Sequence, residues 1–272
     1  MSTLPYRLQF ILDQIEQKGS VNVLDLAENL SVSDMTIRRD LRELESIGLI
    51  RRFHGGAVSS RGRAYEPPLF TRKIENQTQK EMIGKFAANM VVEGDCIALD
   101  VGSTTYQIAL NLTKTKNITI VTPSLQIASV FFDRTDIRLI IPGGIVRPVE
   151  NSLIGDIARW NLGQFYYDRL FLAAGAIDLS SGITEYNIDD AMIKKAMIKN
   201  AKEVVLVADS SKFQRTTFSF VADLNEINHL ITDDTPPKDL MAHLKSHGIS
   251  IHIVNKIGEQ PTKYRGDRDV VD

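Results

Sequence analysis

Seven short apolar runs spread over residues 96–254 limit what this chain can fold into more than any other feature of its sequence. They are Cys96–Leu99, Ile118–Val121, Ile137–Ile141, Leu170–Ala173, Val204–Ala208, His229–Ile231 and Ile249–Val254. Between them lie segments of helical character. Continuous apolar strands alternating with helices predict a parallel α/β sheet covered on both faces. No run approaches a membrane span, and residues 1–18 mix apolar side chains with Arg7, Asp13, Glu16 and Lys18, unlike a signal or transit peptide. The single cysteine, Cys96, falls in the first run, so no disulfide framework exists and a buried, inert thiol in a cytoplasmic protein is expected.

In a sheet of this kind ligands bind beyond the carboxyl ends of the strands, so the residues after each run carry the most information. After the first run stands Asp100-Val-Gly-Ser-Thr-Thr105, opening a helix from Tyr106 to Leu112. Gly102 with the hydroxyls of Ser103, Thr104 and Thr105 at a helix N-terminus offers N–H and O–H donors to an anion such as phosphate. A plain strand-to-helix turn capped by Ser or Thr accounts for the same residues equally well. After the third run, Gly143 and Gly144 allow close backbone approach to a ligand, with Arg147 as an anion partner. Lys212, in Asp209-Ser-Ser-Lys212, places another cation at the same edge. Three such loops together predict a small phosphorylated ligand.

The first sixty residues have a different character. Leu8, Ile11, Leu12 and Ile15 follow helical spacing from Pro5 to Lys18, with Gly19 as the stop. A second short helix is expected over residues 23–29 with Leu24 and Ala27 facing inward, then a turn, then a third helix capped by Ser33 and running to Ser46. Ile37, Leu41 and Leu44 share its buried face, which leaves Asp34, Thr36, Arg38, Arg39 and Arg42 outside. Gly48 closes it, and residues 49–58 read as a hairpin carrying Arg51, Arg52 and His54. This is a winged helix-turn-helix. Arg38 and Arg39 suit guanine edges or phosphates, Ser33 and Thr36 suit phosphate or base, and Arg51, Arg52 and His54 suit phosphate or the minor groove of double-stranded DNA. Charge is placed accordingly: residues 38–63 hold seven Arg against three acids, about +4, although the whole chain carries −2.

Ser33-x-x-Thr36-Ile-Arg-Arg-Asp-Leu41, Leu44-Glu and Gly48-Leu-Ile-Arg-Arg-x-His-Gly-Gly-Ala57 resemble the helix-turn-helix signature of the DeoR family of bacterial regulators. The resemblance continues through Asp100-x-Gly-Ser-Thr-Thr105, Val121-Thr-x-Ser124, Gly143-Gly-x-x-Arg147-Pro, Ser152-Leu-Ile-Gly155, Gly182-Ile-Thr184, Asn187 and Ala208-Asp-Ser-Ser-Lys-Phe213. It implies an effector domain similar to ribose-5-phosphate isomerase, a phosphorylated sugar effector held at Gly102–Thr105 beside Lys212, and a repressor of carbohydrate catabolism. Gln214 departs from the pattern, where many relatives have glycine, and puts the local loop shape in question.

A chain of 272 residues with 43% apolar residues suffices for a small domain plus a medium one. The expected division is 1–58 winged helix-turn-helix, 59–70 linker, 71–255 α/β sensing domain opening with a helix over 71–92, and 256–272 a disordered tail. Sugar-phosphate isomerisation needs a carboxylate base. By alignment with the isomerase its acidic positions fall near Ala174, Ile177 and Lys194, so binding without turnover is expected. Asp178, Glu185, Asp189 and Asp190 lie close enough to test, each reading as a solvated carboxylate. No nucleotide-binding or nucleophile motif occurs, His243 and His247 lack further metal ligands, Trp160 reads as packing, and no cofactor or metal is expected. DNA half-sites imply a homo-oligomer, dimer or tetramer, assembled through the larger domain or the 71–92 helix. The alternatives are an activator or dual regulator, because the sign of regulation depends on operator position, and an active sugar-phosphate isomerase with a DNA-binding appendage.

Overall fold

The computed structural model describes residues 5–18, 20–59, 62–67 and 69–254. Gly19 as a helix stop and the tail from residue 256 therefore lie outside the described residues. The chain divides into two compact units, residues 1–65 and 66–272.

The smaller unit runs α1 (Tyr6–Lys18), β1 (Ser20–Asn22), α2 (Val23–Leu30), α3 (Asp34–Ser46), β2 (Ile50–Phe53) and β3 (Gly56–Ser59). Leu8, Ile11 and Ile15 of α1 meet Ile37, Leu41 and Leu44 of α3 in one core, each 2% exposed or less. Burying side chains of this size contributes about 1.5–3 kcal/mol apiece. Helix α2 is rotated from expectation. Asn22 caps it, accepting from the Leu24 N–H at 2.8 Å. Val23, Leu26, Ala27 and Leu30 then face inward at helical spacing, and Leu24 is 67% exposed. Ser33 caps α3 through the Thr36 N–H at 3.2 Å, and its hydroxyl also meets the Thr36 hydroxyl at 2.9 Å. Ser33→Ala is expected to cost about 1 kcal/mol locally, read as roughly five-fold faster hydrogen exchange in the first turn of α3. The hairpin pairs Arg51 with Val58 and Arg52 with Ala57, and β1 adds an unforeseen third strand in the order β1-β3-β2.

The larger unit contains α4 (Leu69–Ile74), α5 (Gln77–Ala88), β4 (Cys96–Leu99), α6 (Ser103–Asn111), β5 (Thr119–Val121), α7 (Leu125–Ser129), β6 (Arg138–Ile140), β7 (Ile145–Arg147), β8 (Ser152–Ile154) and α8 (Gly155–Leu162). It continues with β9 (Tyr167–Ala173), β10 (Ala176–Asp178), β11 (Gly182–Glu185), α9 (Ile188–Ile198), β12 (Ala201–Val207), β13 (Ser219–Ala222), β14 (His229–Thr232), α10 (Lys238–Ser246) and β15 (Ser250–Ile253). Among the described residues, seven parallel strands form one sheet in the order β15-β14-β12-β9-β4-β5-β6, one for each apolar run. β9 lies at its centre, with Leu170, Phe171 and Leu172 fully buried, which is why its run is continuous. After β4 the chain builds β5 and β6 to one side, then returns to lay β9 on the other. The topological switch point therefore falls between β4 and β9, where a crevice opens beyond the strand ends.

Three features differ from the sequence expectation. The helix over 71–92 is two helices, α4 and α5, broken where Asn76 takes φ 51°. Trp160 on α8 is 66% exposed and does not pack in the core. Two antiparallel pieces, β7-β8 and β10-β11-β13, carry no continuous apolar run and so gave no signal. Cys96 is half-buried, and burial pushes its thiol up, away from the reactive thiolate form. Among the described residues no helix is long and apolar enough to cross a membrane.

Candidate functional site

Opposite the core face of α3, Met35, Arg38, Arg39 and Arg42 recur at helical spacing, and all are exposed. Met35, 64% exposed, was not singled out in sequence. An apolar side chain on a polar face was the available signal, and thymine methyl groups are its natural partner. Among the described residues Arg38 has a single long contact, 3.8 Å to Asp34, and its side chain is exposed. Asp40 does not join this face. It is 2% exposed and binds Arg7 of α1 at 2.5 and 2.9 Å, clamping α3 onto α1. On the wing, strand alternation sends Arg51 and Arg52 to opposite faces. Arg52 is drawn back onto α3, where Glu45 accepts from its Nε at 2.6 Å and its backbone N–H at 2.9 Å. Those hydrogen bonds hold the Glu45 carboxyl below its usual range. Ser33, Arg51 and His54 are exposed and Thr36 is half-buried.

In the larger unit one pocket lies at the switch point. It is lined by Val101, Gly102, Ser103 and Thr104 after β4, Ala173 and Ala174 at the end of β9, Val207, Ala208 and Lys212 at and after the end of β12, and by Arg72 and Glu185. Gly102 precedes α6 without a side-chain cap. A Cβ there would meet the Ala173 methyl at 2.8 Å, so glycine is required for β4 and β9 to come together. Gly102, Ser103, Thr104 and Lys212 are thus brought together as the sequence suggested. Asp100 and Thr105 lie nearby without lining the pocket. The Thr105 hydroxyl donates to the Gly102 carbonyl at 3.0 Å and is fully buried. Asp100 accepts from the Ala173 N–H at 3.0 Å and from Lys194. Gln214 takes φ 56°, the left-handed conformation that glycine supplies more cheaply, so the loop after Lys212 turns sharply despite the substitution.

Gly143, Gly144 and Arg147 do not reach this pocket. A Cβ on Gly144, whose φ is 153°, would meet the Ile154 carbonyl at 2.7 Å, and one on Gly143 would meet Ile157 at 3.2 Å. The two glycines therefore let backbone pass against β8 and α8. Arg147 is held by Asp190 at 2.5 Å and by Glu66. Arg72, unforeseen in sequence, bonds Glu66 at 2.9 Å and also Glu150.

Beneath the pocket, Lys194 is fully enclosed, donates to Asp100 and to the Ala173 carbonyl at 3.0 Å, and forms an ion pair with Glu185 at 3.2 Å. Burial opposes its charge, but Asp100 and Glu185 outweigh burial and hold the ammonium above its ordinary range. Glu185 and Asp190 are buried, contrary to the expectation of solvated carboxylates, because each has a cation partner. Burial pushes Asp190 up to about 6, with Arg147 opposing and Glu185 adding to the rise. A carboxyl raised above its unfolded value of about 3.9 stabilises the fold fully below that value, and the contribution is lost as pH rises through about 6. Asp190→Asn is therefore expected to abolish part of the fall in stability between about pH 4 and pH 6, measured by urea unfolding of both proteins across that range.

Residues 7–62 match the family model described as the DeoR-like helix-turn-helix domain, and residues 75–234, more than half of the chain, match the DeoR C terminal sensor domain. The chain belongs to the DeoR family. As a DeoR-family protein it is a DNA-binding transcriptional regulator. It is 32% identical over 252 residues to the putative aga operon transcriptional repressor of Escherichia coli O157:H7, spanning 92% of this chain and 94% of that one. Identity to the glycerol-3-phosphate regulon repressor of Escherichia coli K12 is 32% over 243 residues, 89% of this chain and 96% of that one. Among solved structures, ribose 5-phosphate isomerase A of Methanocaldococcus jannaschii aligns with a TM-score of 0.38 and 19% identity, over 51% of this chain and 55% of that one.

Proposed function

We propose that this DeoR-family regulator is a cytoplasmic repressor of a carbohydrate-catabolism operon, acting as a homo-oligomer on double-stranded operator DNA and controlled by a phosphorylated sugar. The observation that carries the reading is the pocket at the switch point, lined by an uncapped helix N-terminus with Ser103 and Thr104 and, across from it, by Lys212. Backbone N–H groups at a helix start and a cation opposite are what a phosphate monoester needs. Gly102, Ser103, Thr104 and Lys212 are the residues assigned to its phosphate, and the exposed residues of α3 and the wing to DNA. The relatives named above for the aga operon and the glycerol-3-phosphate regulon support a phosphorylated carbon source as the signal.

Binding without turnover is supported by the engagement of Glu185, the carboxylate in the pocket wall. One of its oxygens accepts from the Tyr186 N–H at 2.9 Å and the other lies 3.2 Å from the Lys194 ammonium. Both oxygens are thus committed to groups of the protein itself. The position of Glu185 also favours a second reading, an active sugar-phosphate isomerase. Thermal unfolding with pentose, hexose and triose phosphates, each against its unphosphorylated parent, separates the two when product formation is followed in the same samples. Stabilisation by at least one phosphorylated sugar without interconversion is expected. Steady isomerisation of that sugar would establish the enzyme.

A further inference from the structure

Arg72 stands at a junction. Its side chain is 13% exposed and lines the pocket with Ser103, Thr104 and Lys212. It is also committed to the chain where that chain enters the larger unit. Its Nε donates to the Pro67 carbonyl at 3.0 Å, and its Nη2 donates to Glu66 at 2.9 Å and to Glu150. Glu66 is the first residue of this unit, directly following Tyr65. Two arginines, Arg72 and Arg147, face three carboxylates, the half-buried Glu66 and the buried Glu150 and Asp190, and both arginines bind Glu66. Burial pushes the Glu66 carboxyl up even with Arg147 and Arg72 opposing. No part of the DNA-binding surface or of the phosphate cradle requires Arg72 to hold Glu66.

An anion seated on the start of α6 adds negative charge to a cluster already rich in carboxylates. It also offers a guanidinium a fork of oxygens with the geometry of the carboxylates it now holds. We propose that Arg72 is shared between the pocket's anionic ligand and Glu66, so that ligand binding draws the guanidinium toward the pocket and weakens the bond that anchors residues 66 and 67. This rests on the phosphate-pocket reading of Gly102–Thr104 and Lys212. Glu66 is then an internal competitor of the ligand, and the state of the pocket is transmitted to the segment through which the DNA-binding unit is attached. Coupling of this kind is reciprocal: whatever weakens the Glu66–Arg72 pair tightens the pocket, and the reverse.

The test uses the full chain and inorganic sulfate, a tetrahedral dianion that does not titrate near neutrality, with titration calorimetry in two buffers of different protonation enthalpy. Sulfate is expected to bind the wild type with uptake of protons as Glu66 loses its partner. Glu66→Gln is expected to bind it roughly five-fold or more tightly with that proton uptake reduced, whereas Glu81→Gln, exposed on α5, is expected to match wild type. Equal affinity and equal proton uptake in the wild type and Glu66→Gln, with Lys212→Ala still weakening the binding, would overturn the shared role of Arg72 and leave the pocket reading intact. Sulfate binding that is absent, or indifferent to Lys212→Ala, would overturn the pocket reading and this inference together. The proton uptake is read on the unaltered protein, so the inference does not hang on a variant that folds poorly.

Discussion

Lys194→Met is expected to destabilise the larger unit by about 3–5 kcal/mol at neutral pH, the cost of leaving a buried charge without its partner. The Lys194 ammonium donates to Asp100 and the Ala173 carbonyl and pairs with the Glu185 carboxylate, and so it ties together the ends of β4, β9 and β11. Methionine fills the same space, so little of the loss comes from a cavity. What remains is two carboxylates buried side by side, each with one backbone N–H, from Ala173 and from Tyr186. The defect should therefore shrink as pH falls and Asp100, whose carboxyl burial already pushes up, takes up a proton, because a group raised in the folded state loses its stabilising effect as pH rises through its folded value. Urea unfolding at neutral and mildly acid pH, read by hydrogen exchange at residues 170–173, measures both effects. Lys195→Met, one exposed position on, is expected to change stability by less than about 1 kcal/mol. A comparable loss in both variants would mean that the Asp100–Lys194–Glu185 network does not hold the sheet ends together.

Arg39→Ala and Arg38→Ala are each expected to weaken specific DNA binding by about 1–3 kcal/mol, roughly five- to 150-fold, with little change in stability. Both side chains lie on the exposed face of α3, opposite Ile37, Leu41 and Leu44, so truncation leaves the core intact. Arg52→Ala should cost less, because Arg52 is already engaged by Glu45 and only part of its charge faces outward. A variant that loses a base contact relaxes specificity. One that loses a phosphate contact instead lowers affinity for all sequences and reduces the salt slope by about one unit. Titrations at two salt concentrations on specific and scrambled DNA sort the arginines into these classes. Wild-type affinity in both Arg38→Ala and Arg39→Ala would remove α3 as the reading helix.

The parallel sheet was legible because β4, β9 and β12 are buried on both faces and read as unbroken apolar runs, and the reading helix because Ser33, Ile37, Leu41, Leu44 and Gly48 are local signals. The short antiparallel pieces were not legible, since each is only three or four residues long and mixes polar with apolar residues. The charged interior was hidden for a different reason. Lys194 occupies the buried face of α9 with Asp190, Ile193 and Met197, and Lys80 the buried face of α5 with Ile83, Gly84 and Ala87. A reading that assigns charge to solvent places such residues outside. Each stays inside because polar partners meet it: Asp100 and Glu185 for Lys194, and the carbonyls of Arg72 and Glu75 together with the distant Asp209 carboxylate for Lys80. A charge recurring at i, i+3, i+4, i+7 with apolar residues was the available signal. Gly143, Gly144 and Arg147 show the converse: glycines and a cation after a strand suggest a ligand site, yet here they serve the packing of β8 and α8 and bind carboxylates of the same unit.

The most direct measurement is the affinity of the full chain for DNA from upstream of its own gene, by fluorescence anisotropy, with and without a panel of phosphorylated sugars. Binding well above that for scrambled DNA is predicted, shifted at least roughly five-fold by one or more phosphorylated sugars but by none of their unphosphorylated parents, with the shift lost in Lys212→Ala. Specific binding that no phosphorylated sugar alters, or a shift that survives Lys212→Ala unchanged, would contradict a regulator controlled through this pocket.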